Sequence, residues 1–273
     1  MLPGLSRVLI GMVHLLALPG SPRWGGSLDA VVERAVADAR ALQDGGFQAC
    51  LVENWGDAPF SAGRVDPATV AAMAVVVAEV RRAVSCSVGV NVLKNDAQAA
   101  LAVAAATGAA FIRVNVHIGA VVADQGLIEG DAYTTLRYRR LLGTDTRLLV
   151  DVGGKHAVPL APVDLEQVAR DAATRGLADA LVVSGVATGE ATPLGDVKRV
   201  RAAVPEHPIL VGSGVTPETI ADLLAVADGA IVGTWIKRDG RTANPVDPTR
   251  VAALARAARP AASAQPRANR RST

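Results

Sequence analysis

The sequence has few cysteines and few aromatic residues. Only two of its 273 residues are cysteine, Cys50 and Cys86, and both lie in apolar, strand-like segments. Two buried thiols in so long a chain are typical of small core residues and not of a disulfide framework, so we expect a reducing, cytoplasmic compartment. Aromatic residues make up 3% of the chain and apolar residues 50%, so alanine, valine and leucine must form most of the core. Such a core suits helices packed on valine-rich parallel strands.

The chain also lacks an excess of charge of one sign and a long hydrophobic run. Its 28 basic and 26 acidic residues are scattered, which disfavours a nucleic-acid partner. No run reaches the roughly 18 apolar residues needed to span a bilayer, so we expect no membrane insertion. The apolar N-terminal stretch leads into a strand-like segment without a small-residue cleavage site, which argues against a signal peptide.

Several sequence motifs of common enzyme classes are absent. The chain has no GxxxxGK[ST], HExxH, GxSxG, paired CxxC or GxGxxG. These absences argue against a P-loop, a zincin, a serine hydrolase, a zinc ribbon and a dinucleotide-binding fold. The sequence therefore requires no cofactor. Its carboxylates and histidines permit a divalent metal, but no tight ligand spacing demands one.

Short apolar runs alternate with amphipathic segments along the chain. This alternation, at roughly 30 residues per unit, predicts a single (β/α)8 barrel, the TIM barrel of the α/β class, over residues 1–259. The tail, 260–273, is rich in proline, alanine, serine and arginine and is predicted to be disordered. The predicted strands are 8–14, 49–53, 87–92, 111–116, 147–153 at most, 180–185, 209–214 and 230–234.

The turns and the lengths of the connections indicate which end of the barrel carries a site. A first helix is capped by Ser27 and ends at Gly45-Gly46, and a later one ends at Gly176. Connections from helix to strand are short, whereas the segments after the strands are longer and more polar, as at the active-site face of a barrel. The longest of them, 115–143, is a candidate lid.

Lysine and histidine are rare, and most of them follow predicted strands. The chain has four lysines against 24 arginines, and only four histidines. Lys94, Lys155 and Lys237 lie just beyond strands, and His14, His117 and His156 lie at strand ends on the same face, whereas His207 lies at the opposite end. This clustering indicates a polar site at the carboxyl ends of the strands.

Other polar residues interrupt the same strand ends and complete the candidate site. An unpaired carboxylate near a barrel core is costly, so Glu53 and Asp151 need partners, which Lys155 or His156 can supply. Asp151 would orient or pair with Lys155 or accept a proton, and His156 and His117 would act as general acid and base, with Glu53 as a second carboxylate. The predicted substrate-binding residues are His14, Asn91, Asn115 and Ser184.

The last two units predict a phosphate site. The seventh strand runs into GSGVTPETI, with a helix expected to begin near Pro217, and the eighth runs into GTWIKRDG. Backbone N–H groups and a helix N-terminus bind anions, and barrels often hold phosphate between these two loops. The predicted phosphate-binding residues are Gly212, Ser213, Gly214, Gly233, Thr234 and Lys237.

A series of motifs resembles the BtpA/SgcQ family from about residue 8 to 255. They are IGMVHLLALPGSP, LVENWGDAPF, VNVLKNDAQAALAVAAATGAAFIRVNVHIGA, DQGLIEG, DVGGKHA, VSGVATG, VGSGVT and GAIVGTWIKRDG. The resemblance implies a ribulose-phosphate-binding type of barrel. It also implies a link with photosystem I biogenesis for the founding member, and with sugar-phosphate or nucleoside catabolism for other relatives.

The sequence thus favours an enzyme acting on a phosphorylated sugar or nucleoside-like metabolite. A carboxylate with histidine fits isomerisation by proton transfer or cleavage of a C–N glycosidic bond, whereas a buried Lys94 or Lys155 fits Schiff-base aldol chemistry. The competing hypothesis is a non-catalytic assembly factor of the photosystem biogenesis type. Either protein could assemble as a homo-oligomer.

Overall fold

The computed structural model, which describes residues 7–153, 157–185 and 190–259, contains a closed barrel of eight parallel strands. This confirms the predicted fold class. Several strands end one to three residues earlier than predicted, and the predicted tail 260–273 lies outside the described residues. In chain order the barrel strands are β1 (Val8–His14), β2 (Ala49–Glu53), β3 (Ser87–Asn91), β4 (Phe111–Val114), β7 (Arg147–Val152), β9 (Ala180–Val183), β10 (Ile209–Val211) and β11 (Gly229–Val232).

Helices between the strands form the outer layer. The hydroxyl of Ser27 accepts a hydrogen bond from the Ala30 amide at 3.2 Å, which confirms the predicted cap of the first helix. None of the helices in the described ranges is long and apolar enough to cross a bilayer. The helices are α1 (Leu28–Asp44), α2 (Pro67–Ala83), α3 (Ala97–Thr107), α4 (Ala132–Leu141), α5 (Leu165–Thr174), α6 (Leu194–Ala203), α7 (Ile220–Leu223) and α8 (Pro248–Ala257).

The predicted lid segment forms part of a second, smaller sheet. After β4 the chain makes an antiparallel hairpin of β5 (Ala120–Ala123) and β6 (Gly126–Glu129). A third strand, β8 (Ala157–Pro159), comes from the segment after β7 and pairs with β5. The segments that follow two neighbouring barrel strands are thereby joined outside the barrel. That this sheet acts as a lid stays a prediction.

Two apolar layers hold the barrel together. One lies between the strands and the helices, and the other fills the interior with alternate residues of the strands, such as Ile10, Leu51, Leu149 and Ile231. Because successive side chains of a strand point to opposite faces, this alternation fixes which later residues also point inward. Near the carboxyl ends, the inward positions change from apolar to polar residues.

The barrel interior is packed so closely that Gly89 has no room for a side chain. A methyl group on Gly89 would overlap the ring of Phe111, which is itself fully buried. We expect Gly89→Ala to lower the free energy of unfolding by about 1–3 kcal/mol, because the ring must leave its preferred position. Adding Phe111→Leu should restore part of the loss, since leucine is shorter.

The control for this prediction is Gly195→Ala in α6, where a methyl group meets no atom within 4 Å. Alanine at this helical position should leave stability equal or slightly higher. Urea denaturation of the four proteins measures the differences. Wild-type stability in Gly89→Ala would contradict the packing described here.

Candidate active site

Polar side chains from six barrel strands point inward at the carboxyl end of the barrel. Each continues the inward alternation of its strand, so that Glu53 follows Leu51, for example, and Asp151 follows Leu149. Glu53 and Asp151 therefore lie at the same end of the barrel, as predicted. The group consists of His14, Glu53, Asn91, Arg113, Asn115, Asp151 and Ser184.

The strongest interaction in this group is a buried ion pair between Arg113 and Asp151. The Arg113 Nε and Nη2 atoms donate to the two Asp151 carboxylate oxygens at 2.8 and 3.0 Å. Asn115 Nδ2 donates to the same carboxylate at 3.0 Å, and Arg113 Nη2 lies 3.4 Å from the Ser184 hydroxyl. Burial by itself lowers the pKa of Arg113, but the charge and hydrogen bonds of Asp151 outweigh it and raise the pKa above its usual value.

This pairing revises the predicted role of Asp151. Both of its oxygens accept hydrogen bonds from Arg113 or Asn115, so the carboxylate positions a cation. The partner of Asp151 is thus an arginine within the barrel. The predicted partners Lys155 and His156 lie outside the described residues.

Glu53 belongs to a second cluster, formed by three neighbouring strand ends. His14 lies opposite Glu53 in the β1–β2 register, and Glu53 lies opposite Asn91 in the β2–β3 register. His14 Nε2 is 3.6 Å from Glu53 Oε1, and Asn91 Nδ2 donates to Glu53 Oε2 at 2.7 Å. Within the described ranges, no group of three His, Cys, Asp or Glu side chains is placed to hold a metal ion.

A cavity of about 190 Å³ opens beside the second cluster. It extends from His14 and Glu53 to the segments that follow β10 and β11, and Arg113 reaches it from across the barrel. Its volume is below the roughly 300–1,000 Å³ of typical small-molecule sites, so it suits a small ligand. Asn91, Asn115, Asp151 and Ser184 adjoin the cavity through hydrogen bonds to its lining residues or to one another, and do not themselves line it.

The predicted phosphate-binding loops line one end of this cavity. Gly212, Ser213 and Gly214 lie on one side and Gly233 and Thr234 on the other. A side chain on Gly212 would overlap the Ser184 hydroxyl, and one on Gly233 would come within 3.3 Å of the His14 ring, so glycine keeps both backbones open to the cavity. Within the described ranges, the buried Ser213 hydroxyl has no hydrogen-bond partner.

The helix expected to complete this anion site is not where the sequence predicted it. α7 begins at Ile220 instead of near Pro217 and has four residues. The preceding turn takes up its own polar groups, because the Thr219 and Ile220 amides both donate to the Thr216 carbonyl. A helix of only four residues therefore does not provide the anion-binding N-terminus that was predicted here.

Near the glycine loops, the positive charge in the cavity lining comes from Arg250 and not from Lys237. Lys237 is completely buried, and its Nζ donates to the Met12 carbonyl at 2.9 Å and lies 3.4 Å from Asp38. Burial lowers the pKa of Lys237 to about 8, although Asp38 opposes the shift. The prediction of a phosphate-binding Lys237 is wrong, since the ammonium group ties the segment after β11 to β1 and α1. Arg250, in α8, lines the cavity and donates from Nε to the Trp235 carbonyl at 2.7 Å.

His117 does not belong to the candidate site. Its ring is buried, and Nε2 lies 2.8 Å from the carbonyl oxygen of Gly176, just beyond the end of α5. Burial lowers the pKa of His117, and the ring is absent from the cavity lining. The predicted acid–base role for His117 is therefore wrong, because the chain turns away from the barrel axis after Asn115.

Lys94 lies on the Asp151 side of the barrel mouth. Its side chain is buried, and burial lowers its pKa, although the charges of Asp124 and Asp151 act in the opposite direction. Such a lowered pKa is what a Schiff-base lysine needs. However, Lys94 does not line the cavity that contains the predicted phosphate loops.

Several residues that line the cavity were not predicted from the sequence. Among them are Arg113, Trp55, which begins the 3-10 turn Trp55–Asp57 after β2, Trp235 and Arg250. Arg113 had a usable signal, since it interrupts an apolar strand two positions before Asn115 and must point the same way. Arg250 had none, because it comes from a helix face that only tertiary packing brings to the cavity.

Comparison with known proteins identifies relatives over nearly the whole chain. The sequence model described as "BtpA family" matches residues 5–260. The photosystem I biogenesis protein BtpA of Synechocystis is 48% identical over 90% of this chain and 86% of its own length. The putative sgc region protein SgcQ of Escherichia coli is 35% identical over 91% of this chain and 92% of its own.

Solved structures confirm the fold. That of N-(5'-phosphoribosyl)anthranilate isomerase from Pyrococcus furiosus matches with a TM-score of 0.56 at 13% identity. The match covers 92% of this chain and 98% of the other. At this identity the likeness shows the barrel alone.

The ion pair between Arg113 and Asp151 makes a prediction about stability. Asp151→Asn leaves the buried guanidinium without its counter-charge, so the free energy of unfolding should fall by about 3–5 kcal/mol. Arg113→Met should cause a similar loss. The double variant should lose less than the sum of the two, because neither charge is then left alone.

Urea denaturation of the four proteins of this cycle measures the coupling. Arg199→Met is the matched control, because Arg199 forms its ion pair with Glu166 at the surface and its loss should change stability little. An Asp151→Asn variant as stable as the wild type would contradict the prediction that Arg113 depends on Asp151 for its counter-charge.

Proposed function

This protein belongs to the BtpA family, and we propose that it is an enzyme acting on a phosphorylated sugar or nucleoside-like metabolite. The observation that carries the proposal is that one cavity joins two glycine loops to a buried histidine–carboxylate pair. The loops after β10 and β11 hold the phosphate, at the place where barrels of this kind commonly bind it. The remainder of the metabolite extends towards His14 and Glu53.

The phosphate is bound by groups of three kinds. Backbone N–H groups of the two glycine loops surround it, and Arg250 supplies positive charge. The Ser213 hydroxyl, which has no hydrogen-bond partner among the described residues, donates to the phosphate. Arginine suits this role because its planar guanidinium can donate two parallel hydrogen bonds to phosphate oxygens.

His14 and Glu53 carry the acid–base chemistry. The carboxylate, held by Asn91, orients the imidazole, and the imidazole exchanges a proton with the metabolite. Arg113, already fixed by Asp151, stabilises negative charge that develops on a neighbouring oxygen. This set of groups supports isomerisation by proton transfer or cleavage of a C–N glycosidic bond. It supports Schiff-base chemistry by Lys94 less, because Lys94 does not line the cavity. Lys155, the other lysine predicted for that chemistry, lies outside the described residues.

A second candidate function is that of a non-catalytic assembly factor. It is favoured by the 48% identity to a protein named for photosystem I biogenesis. An assembly factor would act through an outer surface and would not need the pair of His14 and Glu53. The two candidates therefore differ in what they require of the barrel mouth.

Phosphate binding is tested by the melting temperature in increasing inorganic phosphate. A ligand that binds only the native state raises its stability, so the melting temperature of the wild type should rise with phosphate concentration. Arg250→Met should weaken binding about tenfold or more, since a hydrogen bond to a charged group contributes roughly 1.5–3 kcal/mol. Ser213→Ala should weaken it less.

The control for phosphate binding is Arg256→Met, which removes an exposed arginine from the same helix. It should leave the affinity for phosphate unchanged. If the wild type shows no response to phosphate, or if both arginine variants lose affinity equally, the phosphate site is not between these loops.

Catalysis is tested with the phosphorylated metabolites that raise the melting temperature. His14→Gln and Glu53→Gln should each slow turnover of such a compound by roughly 10²–10⁴-fold, as expected for general acid–base groups. NMR of the substrate measures the rate. His207→Gln, which changes the histidine at the opposite end of the barrel, should keep the wild-type rate. Binding without turnover for every compound would favour the assembly factor.

A further inference from the structure

Two tryptophans line the cavity that contains the phosphate loops. The chain has only three tryptophans and eight aromatic residues in 273, yet Trp55 and Trp235 both lie at this one site. Both indoles are partly exposed. Trp55 is needed neither to bind a phosphate nor to move a proton. Its indole is therefore available to a further part of the ligand.

The turn that carries Trp55 is fixed by hydrogen bonds at the end of the cavity nearest β2. It is joined to the segment after β1, since the Gly56 amide donates to the Leu15 carbonyl and a side chain on Gly56 would overlap that backbone. Asp57 accepts from the Leu18 amide at 2.8 Å and from Asn54 Nδ2 at 3.1 Å. The ring of Trp55 lies 5.8 Å from the His14 ring, at an angle of 42°.

Trp235 is fixed by a different set of contacts. It follows β11 in the 3-10 turn Thr234–Ile236, and the Arg250 guanidinium lies 4.8 Å from the centre of its ring. The Arg250 Nε also donates to the Trp235 carbonyl. Arg250, which is proposed to bind the phosphate, is thus held with its guanidinium over the indole of Trp235.

The order of the strands separates the two ends of the cavity. The barrel runs β10-β11-β1-β2, so Trp55 follows a strand two positions away from the Gly233 loop. Neighbouring strands lie about 4.8 Å apart, which places Trp55 on the order of 10 Å from that loop. His14, at the end of β1, lies between them. A ligand whose phosphate is bound at the loops therefore has its other end beside Trp55.

We propose that this other end is a flat aromatic or heteroaromatic ring that packs against Trp55. Indole faces bind flat rings by stacking, and the tilted contact of Trp55 with the His14 ring leaves room for the ligand to complete the aromatic cluster. The proposal rests on the proposed function, which places the phosphate. A cavity of about 190 Å³ excludes a ligand as large as a dinucleotide. The His14–Glu53 pair then acts on the atoms that link the ring to the phosphate.

The test compares ligands with and without a ring. Dissociation constants of inorganic phosphate, ribose 5-phosphate and the 5'-monophosphates of adenosine, guanosine, cytidine and uridine are measured by calorimetry. At least one nucleotide should bind about tenfold or more tightly than ribose 5-phosphate. Trp55→Ala should abolish this difference and leave the affinity for inorganic phosphate unchanged. Trp55→Phe should restore part of the difference.

Trp24→Ala is the matched control, because Trp24 lies outside the cavity and is the remaining tryptophan. It should leave every affinity unchanged. The proposal is overturned if ribose 5-phosphate binds as tightly as every nucleotide, or if Trp55→Ala weakens all the ligands equally. Failure of inorganic phosphate to bind overturns the proposed function and this proposal together, whereas phosphate binding without preference for a ring overturns this proposal alone.

Discussion

The arrangement of the barrel mouth depends on the bidentate ion pair between Arg113 and Asp151. An arginine inside a barrel is costly unless its charge is balanced and its donors are satisfied. Asp151 on the neighbouring strand does both, and Ser184 on the next strand lies within reach of the same guanidinium. Arg113 is thereby fixed in a direction that takes it across the interior to the cavity.

This ion pair divides the polar residues of the mouth into two halves with different roles. On the side of β4 and β7, Asp151 holds Arg113, and Asn115 donates to Asp151. On the side of β1 and β2, His14 and Glu53 face open space, and the glycine loops after β10 and β11 continue the same surface. Asp151 holds the Arg113 cation, and the carboxylate of Glu53 faces the cavity. A site of this kind is preorganised before a ligand arrives.

A second buried ion pair, between Lys237 and Asp38, fixes the segment after β11 that lines one end of the cavity. Lys237 bonds to the Met12 carbonyl and to Asp38, and Asp38 also accepts from the Val246 amide at 2.7 Å. The segment after β11 is therefore joined to β1, α1 and the chain before α8. Since Gly233 and Thr234 begin this segment, the lysine positions the proposed phosphate loop without touching the ligand.

The sequence by itself determined the barrel and the end at which its polar residues gather. Eight apolar runs separated by helical segments have few ways to bury their surfaces other than a closed parallel barrel, and parallel strands bring their carboxyl ends to one rim. Glu53, Asp151 and the two glycine loops follow from this alone. The family also followed from the order of the motifs.

Only the tertiary structure decided which of these polar groups are partners. Asp151 bonds to a residue 38 positions earlier and Lys237 to one 199 positions earlier, and no local pattern predicts such contacts. His117 and Arg250 show the same limit. His117 was expected in the site but points away from it, whereas Arg250 was not expected there and lines the cavity. The physical reason is that strand periodicity fixes the inward positions of strand residues, whereas side chains on loops and helices take directions that depend on packing between distant segments.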